Sequence, residues 1–174
     1  IKLHTSNTNG EIIIWTHATD TVEKESFMAD KWITHEQGGW KIELSLSLLG
    51  EMRTDREKAL PNETGGVLIG AYDITRKRIY VVYQVRAPED SISSPTSFIR
   101  GCANLPERLK YIHETTLDNL TYIGEWHSHP SVNTQRSTDD VKLHKAIVGY
   151  NRENCLPGCM MILGTDNFSI FIDE

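Results

Sequence analysis

Alternating and clustered apolar positions predict short strands interspersed with helices. Apolar and β-branched runs between turn residues predict strands, and apolar residues spaced three and four apart predict helices. The predicted strands are residues 11–15, 40–46, 66–72, 79–85, 120–126, 160–163 and 168–172. The predicted helices are residues 48–60, residues 105–117 and a stretch that Ser137 opens. Strands and helices mixed in this order indicate an α/β or α+β domain in which helices pack on a sheet.

The first 39 residues carry a weaker pattern than the remainder of the chain. One predicted strand, residues 11–15, is followed by a polar stretch over residues 16–25. The whole chain has 174 residues, which suffices for one core of ordinary size, and it contains no internal repeat. We therefore predict an N-terminal extension or linker over residues 1–39 and a single domain over residues 40–174.

The most informative motif is the run Gly124-Glu125-Trp126-His127-Ser128-His129-Pro130. On a strand, residues two apart point to the same face, so His127 and His129 face one way. Ser137 and Asp140, three apart at the start of a predicted helix, share a helix face. Two imidazoles and one carboxylate are the three protein ligands typical of catalytic zinc, whose fourth position is left for water. A His-x-His pair alone is more often a packing pair, and Ser-x-x-Asp fits a capping box, so the joint pattern carries the prediction.

A hydrolytic metal centre also needs a base to take the proton of the attacking water. Glu63 is the candidate, because it stands between the predicted helix and the apolar strand, immediately before Thr64 and the pair Gly65-Gly66. Paired glycines permit close approach of backbones. Taken alone, Glu63 would be read as a solvated loop acid.

These residues together resemble the full motif of the JAMM (MPN-plus, or JAB) metalloproteases. The motif is Glu63 before Gly-Gly-Val-Leu-Ile-Gly, then His127-x-His129, seven residues, Ser137, two residues and Asp140. The resemblance implies a mixed, curved β-sheet flanked by helices, the cytidine deaminase-like architecture. It also implies one Zn²⁺ per chain bound by His127, His129 and Asp140, with Glu63 as general base and Ser137 as oxyanion stabiliser.

The form Gly-Glu-Trp-His-Ser-His-Pro is most similar to the prokaryotic JAB branch of that family. Members of this branch are often encoded with, or fused to, enzymes that activate and conjugate ubiquitin-like proteins, including in antiphage defence operons. The resemblance implies a zinc-dependent isopeptidase or peptidase that cleaves after the C-terminus of a ubiquitin-like protein. The implied partners are that protein or its conjugate, and activating or conjugating enzymes of the same operon or fused upstream.

Two other functions stay open at this point. A small sulfur-carrier protein conjugated to an amino acid or metabolite would use the same chemistry on a different substrate. A non-catalytic MPN scaffold would bind partners only, although such members characteristically lose a ligand or the base, and none is lost here. A nucleobase deaminase is disfavoured, because it needs His-x-Glu and Pro-Cys-x-x-Cys, and Cys155 and Cys159 are one residue too far apart.

Composition and charge bear on the possible binding partners and on the cellular compartment. The net charge of −6 argues against nucleic-acid binding as the main role, since phosphate recognition needs a basic surface. No apolar run approaches a membrane span and the first residues do not form a signal peptide, so we expect a cytoplasmic protein without a membrane role. Three cysteines are an odd number, and free thiols in a reducing compartment are expected. The chain begins with Ile rather than Met, as a processed or excised piece of a longer protein would.

Two loops are the predicted specificity elements, residues 86–104 and residues 151–158. Both are rich in turn-forming residues and flank the elements that carry the motif, and long loops beside a rigid site often bind ligands. Within the first loop we predict Phe98 and Arg100 as substrate-binding residues. The alternative is that this loop is simply a flexible connection.

Overall fold

The computed structural model describes residues 2–6, 11–18, 21–28 and 31–174, and in these ranges the chain forms twelve strands and three helices. The strands are β1 (Lys2–Ser6), β2 (Glu11–Ala18), β3 (Thr21–Met28), β4 (Trp32–Gln37), β5 (Trp40–Ser45), β6 (Gly65–Asp73), β7 (Arg78–Arg86), β8 (Ile92–Ser94), β9 (Ser97–Ile99), β10 (Thr121–Ser128), β11 (Gly158–Leu163) and β12 (Phe168–Asp173). The helices are α1 (Leu46–Ala59), α2 (Leu105–Thr115) and α3 (Thr138–Arg152).

Seven of the strands form one mixed sheet in the order β12-β11-β10-β6-β7-β5-β4. β5 runs parallel to β7 and β10 runs parallel to β11, while the other neighbours are antiparallel. The sheet curves until its edge strands β4 and β12 approach each other. Near this closure, Trp40 Nε1 donates a 2.8 Å hydrogen bond to Glu174 Oε1. The curved mixed sheet with flanking helices confirms the predicted fold class.

Both faces of the sheet are covered by helices. Leu68 of β6 packs in the core cluster that includes Leu49 and Met52 of α1. Its neighbours Val67 and Ile69 point the other way and pack with α2. Strands buried on both faces read as continuous apolar runs rather than alternating ones, which explains the unbroken apolar sequence of β6.

The remaining strands lie outside the seven-stranded sheet. β1, β2 and β3 pair antiparallel in a sheet of their own, and β8 pairs with β9 in a short hairpin. The polar stretch predicted over residues 16–25 falls on the end of β2 and the start of β3, except for residues 19 and 20, which lie outside the described ranges. Charged and polar residues occupy much of β3, so period-two patterning did not reveal it.

Strand β4 precedes the predicted start of the domain at residue 40. It pairs with β5 along its whole length, from Trp32 opposite Ser45 to Gln37 opposite Trp40. Its side chains alternate between exposed and partly buried, as on an edge strand, and only Ile33 packs against the main core. An edge strand of this kind needs few apolar residues, which is why sequence patterning missed it. The division into an extension over residues 1–39 and a domain over residues 40–174 stays a prediction.

Two smaller expectations can be compared with the structure directly. The cysteines are free thiols, as predicted, with Cys102 and Cys155 exposed and Cys159 buried. Within the described ranges, every helix is too short or too polar to span a lipid bilayer.

Gly124 lies where β10 approaches the backbone of β11 too closely to admit a side chain. Its ladder partner is Cys159, and a Cβ built at Gly124 would overlap the carbonyl oxygen of that residue. The first glycine of the histidine motif is therefore required by strand packing. Any side chain there would push β10, and the histidines at its end, away from β11.

We expect Gly124→Ala to lower the free energy of unfolding by about 1–3 kcal/mol, the usual cost of overpacking. Urea denaturation followed by tryptophan fluorescence measures this change. Gly149→Ala is the matched control, because no atom lies within 4 Å of a Cβ at that exposed position of α3. The control should gain about 0.5–1 kcal/mol from the better helix propensity of Ala. Equal stabilities for the two variants would contradict the packing argument.

Candidate metal centre

The end of β10 is held by strands on both sides. In the antiparallel pairing with β6, His127 lies opposite Gly65. The pairing continues past the strand ends, because the Ser128 N–H donates to the Thr64 carbonyl at 2.7 Å and the Thr64 N–H donates to Ser128 Oγ at 3.0 Å. Strand pairing therefore brings Glu63, the residue before Thr64, beside the first histidine.

Hydrogen bonds hold the backbone of His129 and one nitrogen of its ring. Its backbone N–H donates to the Leu163 carbonyl at 2.8 Å, and its carbonyl accepts a 3.0 Å bond from Arg56 Nε. Its Nδ1 lies 2.7 Å from the Asn133 carbonyl oxygen. A carbonyl oxygen can only accept, so Nδ1 carries the proton and Nε2 keeps a free lone pair. This is the tautomer that a metal-binding histidine adopts when a carbonyl holds its other nitrogen.

Ser137 and Asp140 form the capping box at the start of α3. Ser137 Oγ accepts from the Asp140 N–H at 3.2 Å, and Asp140 Oδ2 accepts from the Ser137 N–H at 2.7 Å. The same carboxylate faces the histidines, with Oδ1 3.1 Å from His127 Nε2 and Oδ2 3.7 Å from His129 Nε2. Helix capping thus orients the Asp140 carboxylate toward both imidazoles.

The three candidate ligands have spacings that suit a tetrahedral zinc ion. The two Nε2 atoms of His127 and His129 are 3.3 Å apart. With Zn–N and Zn–O bonds of about 2.0–2.1 Å, tetrahedral ligands lie about 3.3–3.4 Å from one another. Asp140 approaches the two imidazoles through different oxygens, with Oδ1 3.1 Å from His127 Nε2 and Oδ2 3.7 Å from His129 Nε2, so its carboxylate lies at a similar spacing.

Glu63 is the second carboxylate of the centre. It is 7% exposed, and together with His127 and His129 it forms a group whose ligand atoms lie within 4.8 Å of one another and could hold a metal ion. Among the described residues, Asp140 makes ion-pair contacts with both imidazoles, whereas Glu63 makes none. Asp140 therefore contacts both imidazoles directly, and Glu63 lies beside them.

The environments of the two carboxylates push their pKa values apart. Burial is the largest influence on Glu63 and raises its pKa, His127 and His129 act against it by lowering the pKa, and the nearby Asp140 adds the smallest contribution, which raises it. Burial also acts to raise the pKa of Asp140, but the hydrogen bond and charge of His127 and the bonds from Ser137 outweigh it and hold that pKa far below its usual range. The pKa of Asp140 is thus lowered and that of Glu63 raised, so Asp140 is the more acidic and Glu63 the more basic of the two carboxylates.

All five motif residues line one cleft of about 610 Å³. The cleft is also lined by residues 95–100, so the predicted substrate-binding residues Phe98 and Arg100 lie beside the candidate metal ligands. The structure thus brings together every site residue that the sequence predicted. Their roles in binding and catalysis stay predictions.

The predicted specificity loop over residues 86–104 contains the β8–β9 hairpin. Asp90 closes its base by accepting the N–H groups of Cys102 and Ala103, each at 3.0 Å, and these bonds lower the pKa of Asp90. The hairpin is also tied to the site, because the Glu63 N–H donates to the Ser94 carbonyl at 2.9 Å. It therefore forms an ordered wall of the cleft. Three-residue strands carry too little periodicity to be detected in the sequence.

Phe98 and Arg100 attach this hairpin to the strands that carry the site. The Phe98 ring packs against Gly65, where a Cβ would lie only 2.6 Å from Cε1. Arg100 donates to both carboxylate oxygens of Glu125, from Nε at 2.9 Å and from Nη2 at 2.8 Å, and its Nη1 donates to the Gly101 carbonyl. The Arg100 guanidinium is therefore already paired within the protein, and its direct contact with substrate remains a prediction.

Arg56 of α1 is the residue of the site that the sequence analysis missed. It is 4% exposed and donates to the carbonyls of His129 and Pro130. Arginines on helices are usually exposed, so composition offers no signal. Helical spacing does, because Arg56 follows the buried Leu49 and Met52 by seven and four residues and so lies on the same stripe.

The comparisons with known proteins agree with this geometry. The family described as prokaryotic homologs of the JAB domain matches residues 45–172. The chain is 34% identical over 147 residues to the CD-NTase/cGAS isopeptidase of Enterobacter hormaechei subsp. hoffmannii. The aligned region covers 83% of this chain and 80% of that protein. The protein therefore belongs to the prokaryotic JAB family, as the motif predicted.

Two solved structures are also similar to this chain. One is the solution structure of a protein from Desulfitobacterium hafniense, with a TM-score of 0.49, 23% identity, and coverage of 75% of this chain and 82% of that chain. The other is the crystal structure of a JAB1/MPN domain protein from Archaeoglobus fulgidus, with a TM-score of 0.42, 17% identity, and coverage of 71% of this chain and 82% of that chain.

We expect the Arg100–Glu125 pair to couple strongly in a double-mutant cycle. Arg100→Ala, Glu125→Ala and the double variant, compared by urea denaturation, should give a coupling free energy of about 1–2 kcal/mol, because the pair is partly buried and doubly hydrogen bonded. The exposed Arg76–Asp73 pair is the control, with an expected coupling of about 0.5 kcal/mol or less. A coupling near zero for Arg100 and Glu125 would show that the hairpin is not held by this contact.

Proposed function

We propose that the protein is a zinc-dependent isopeptidase or peptidase that cleaves after the C-terminus of a ubiquitin-like protein, removing it from a conjugate or precursor. The observation that carries this proposal is the arrangement of His127, His129 and Asp140 around one point, with the buried Glu63 beside them. Membership of the JAB family and the relationship to a named isopeptidase support a hydrolase.

His127, His129 and Asp140 would hold the zinc ion. When bound, zinc supplies a Lewis acid that polarises the scissile carbonyl and lowers the pKa of water. Glu63 takes the proton of the attacking water and delivers it to the leaving amine. Its raised pKa suits the first half of that transfer, because a more basic carboxylate accepts the proton of water more readily.

Ser137 would stabilise the negative charge that develops on the carbonyl oxygen. Its Oγ accepts the Asp140 N–H in the capping box, and this bond does not use the hydroxyl proton. The hydroxyl is therefore able to donate to an oxyanion in the cleft, which contributes most when the charge is fully developed. Because the serine is the N-cap of α3, the helix start holds it in place.

The cleft suits an extended peptide tail. The β8–β9 hairpin forms a two-stranded sheet whose residues 95–100 line the cleft, and a strand edge can accept a peptide by main-chain hydrogen bonds. A glycine-rich tail of a ubiquitin-like protein could lie along it and present its last carbonyl to the metal ligands. The Phe98 side chain, which lines the cleft, would contact such a tail.

The named relative supports the choice of substrates to test. Its name, CD-NTase/cGAS isopeptidase, supports an isopeptide-bonded conjugate as the substrate class and makes a CD-NTase conjugate a candidate for this chain as well. We also propose activating and conjugating enzymes of an antiphage defence operon as partners, and the cytoplasm as the site of action. These proposals rest on family resemblance.

Replacement of Glu63 separates metal binding from catalysis. We expect the wild-type chain to bind about one zinc ion, as measured by mass spectrometry of the metal content, and Glu63→Gln to retain it. Cleavage by that variant should fall at least about 100-fold, because the general base is lost. Glu57→Gln, an exposed substitution on α1, is the control and should be fully active. Full activity of Glu63→Gln would contradict the mechanism.

The substrate class is tested by mixing the chain with candidate proteins that carry a reporter after their C-terminus. Ubiquitin-like proteins, a CD-NTase conjugate and a sulfur-carrier conjugate are compared side by side, with and without chelator, and the cut is mapped by mass spectrometry. We expect a chelator-sensitive cut directly after the tail of a ubiquitin-like protein or CD-NTase. Cleavage of only the sulfur-carrier conjugate would favour that alternative, and a metal-free, inactive chain would favour a scaffold.

A further inference from the structure

Arg56 is a buried cation whose polar partners belong to the segments that support His129. Its Nε donates to the His129 carbonyl at 3.0 Å, and its Nη2 donates to the Pro130 carbonyl at 2.8 Å and to Thr165 Oγ1 at 2.9 Å. The side chain comes from α1, so it links that helix to the loop after β10 and to the turn between β11 and β12. Three parts of the fold thus meet at one guanidinium.

The charge of Arg56 is not balanced by an acid. In the part of the chain that the structure describes, Arg56 takes part in no ion pair, and its hydrogen-bond partners are neutral oxygens. A buried charge without a counter-charge is costly. An apolar residue at this position would pack beside Met52 without that cost. What the guanidinium adds is the set of hydrogen bonds to the loop.

The loop needs these bonds because β10 ends at Ser128 and the last backbone bond to a neighbouring strand is that of the His129 N–H, just before Pro130. Proline has no N–H to continue a ladder, and the carbonyls of His129 and Pro130 would otherwise lack partners from β6. Arg56 satisfies both carbonyls with donors set at fixed spacing in a planar group. The turn is fastened to the same loop a second time, because the Thr165 N–H donates to the Ser131 carbonyl at 3.2 Å.

Holding this backbone determines where the His129 ring points. The Nδ1 proton is directed to the Asn133 carbonyl, which lies in the same loop. A shift of the His129 carbonyl away from Arg56 would move both the ring and its anchor. His129 Nε2 would then lose its position 3.3 Å from His127 Nε2 and 3.7 Å from Asp140 Oδ2.

We propose that Arg56 is a positioning residue of the metal centre, acting through the backbone of His129 and Pro130. The inference rests on the proposed function of this site as a metal centre. Arg56 fixes the position of one candidate ligand, His129. Its removal therefore weakens metal binding and distorts the coordination geometry, and these effects are measurable without following cleavage.

The test compares Arg56→Met and Arg56→Lys with the wild type by using Zn²⁺ and Co²⁺ as probes. Zinc affinity is measured by competition with a chelator, and the coordination geometry by the visible absorption of bound Co²⁺. We expect Arg56→Met to bind zinc about 10–100-fold more weakly, the usual effect of losing a group that orients a ligand, and to give an altered cobalt spectrum. Arg56→Lys should restore part of the affinity, since its ammonium can donate to one of the carbonyls.

Arg53→Met is the matched control, because it removes an exposed arginine from the same helix and should change neither readout. Thr165→Val keeps Arg56 but removes its contact with Thr165 Oγ1 and the 3.5 Å bond from that hydroxyl to the Pro130 carbonyl, and we expect a loss of a few-fold in zinc affinity. It also serves if Arg56→Met does not fold.

Three results distinguish the role of Arg56 from the proposed function. Unchanged zinc affinity and cobalt spectrum in both Arg56→Met and Thr165→Val, even with reduced thermal stability, would show that Arg56 only stabilises the fold. Failure of the wild type to bind either ion would contradict the proposed function itself. Binding by the wild type without cleavage of any substrate would leave the role of Arg56 intact and refute only the proposed activity.

Discussion

The pairing of β10 with a strand on each side is the constraint on which the site depends. β6 sets His127 opposite Gly65 and so delivers Glu63 to the histidines, while β11 receives Gly124 at a distance that excludes a side chain. Neighbouring strands therefore fix the end of β10 before any ligand is bound. The candidate ligands are arranged by the backbone, so an ion would find them close to their final positions.

Backbone hydrogen bonds then orient the side chains. The capping box that begins α3 also directs the Asp140 carboxylate to both imidazoles, so one pair of bonds stabilises the helix and shapes the centre. His129 is held by a carbonyl at Nδ1 and by Arg56 at its own carbonyl. The two carboxylates lie in different environments within the same cleft. The pKa of Asp140 is lowered by His127 and the capping bonds, and the pKa of Glu63 is raised by burial.

Strong local patterns made much of this predictable from sequence. The apolar run of β6, the His-x-His spacing on β10 and the cap at Ser137 each carry a clear signal, and their combination identified the family and the residues that meet in the cleft. The short β8–β9 hairpin and the edge strand β4 carry little hydrophobic periodicity and were missed. Side-chain contacts between residues far apart in the sequence could not be predicted either. No local sequence pattern indicates that Arg100 pairs with Glu125 or that Arg56 reaches the loop after β10.

The proposed zinc site consists of two imidazoles and a carboxylate, with no cysteine. X-ray absorption spectroscopy of the zinc-loaded chain tests it most directly, because it counts the ligand atoms and measures their distances. The account predicts a four-coordinate ion with nitrogen and oxygen ligands at about 2.0–2.1 Å and two imidazole signatures. A sulfur ligand at about 2.3 Å, or fewer than two imidazoles, would contradict it.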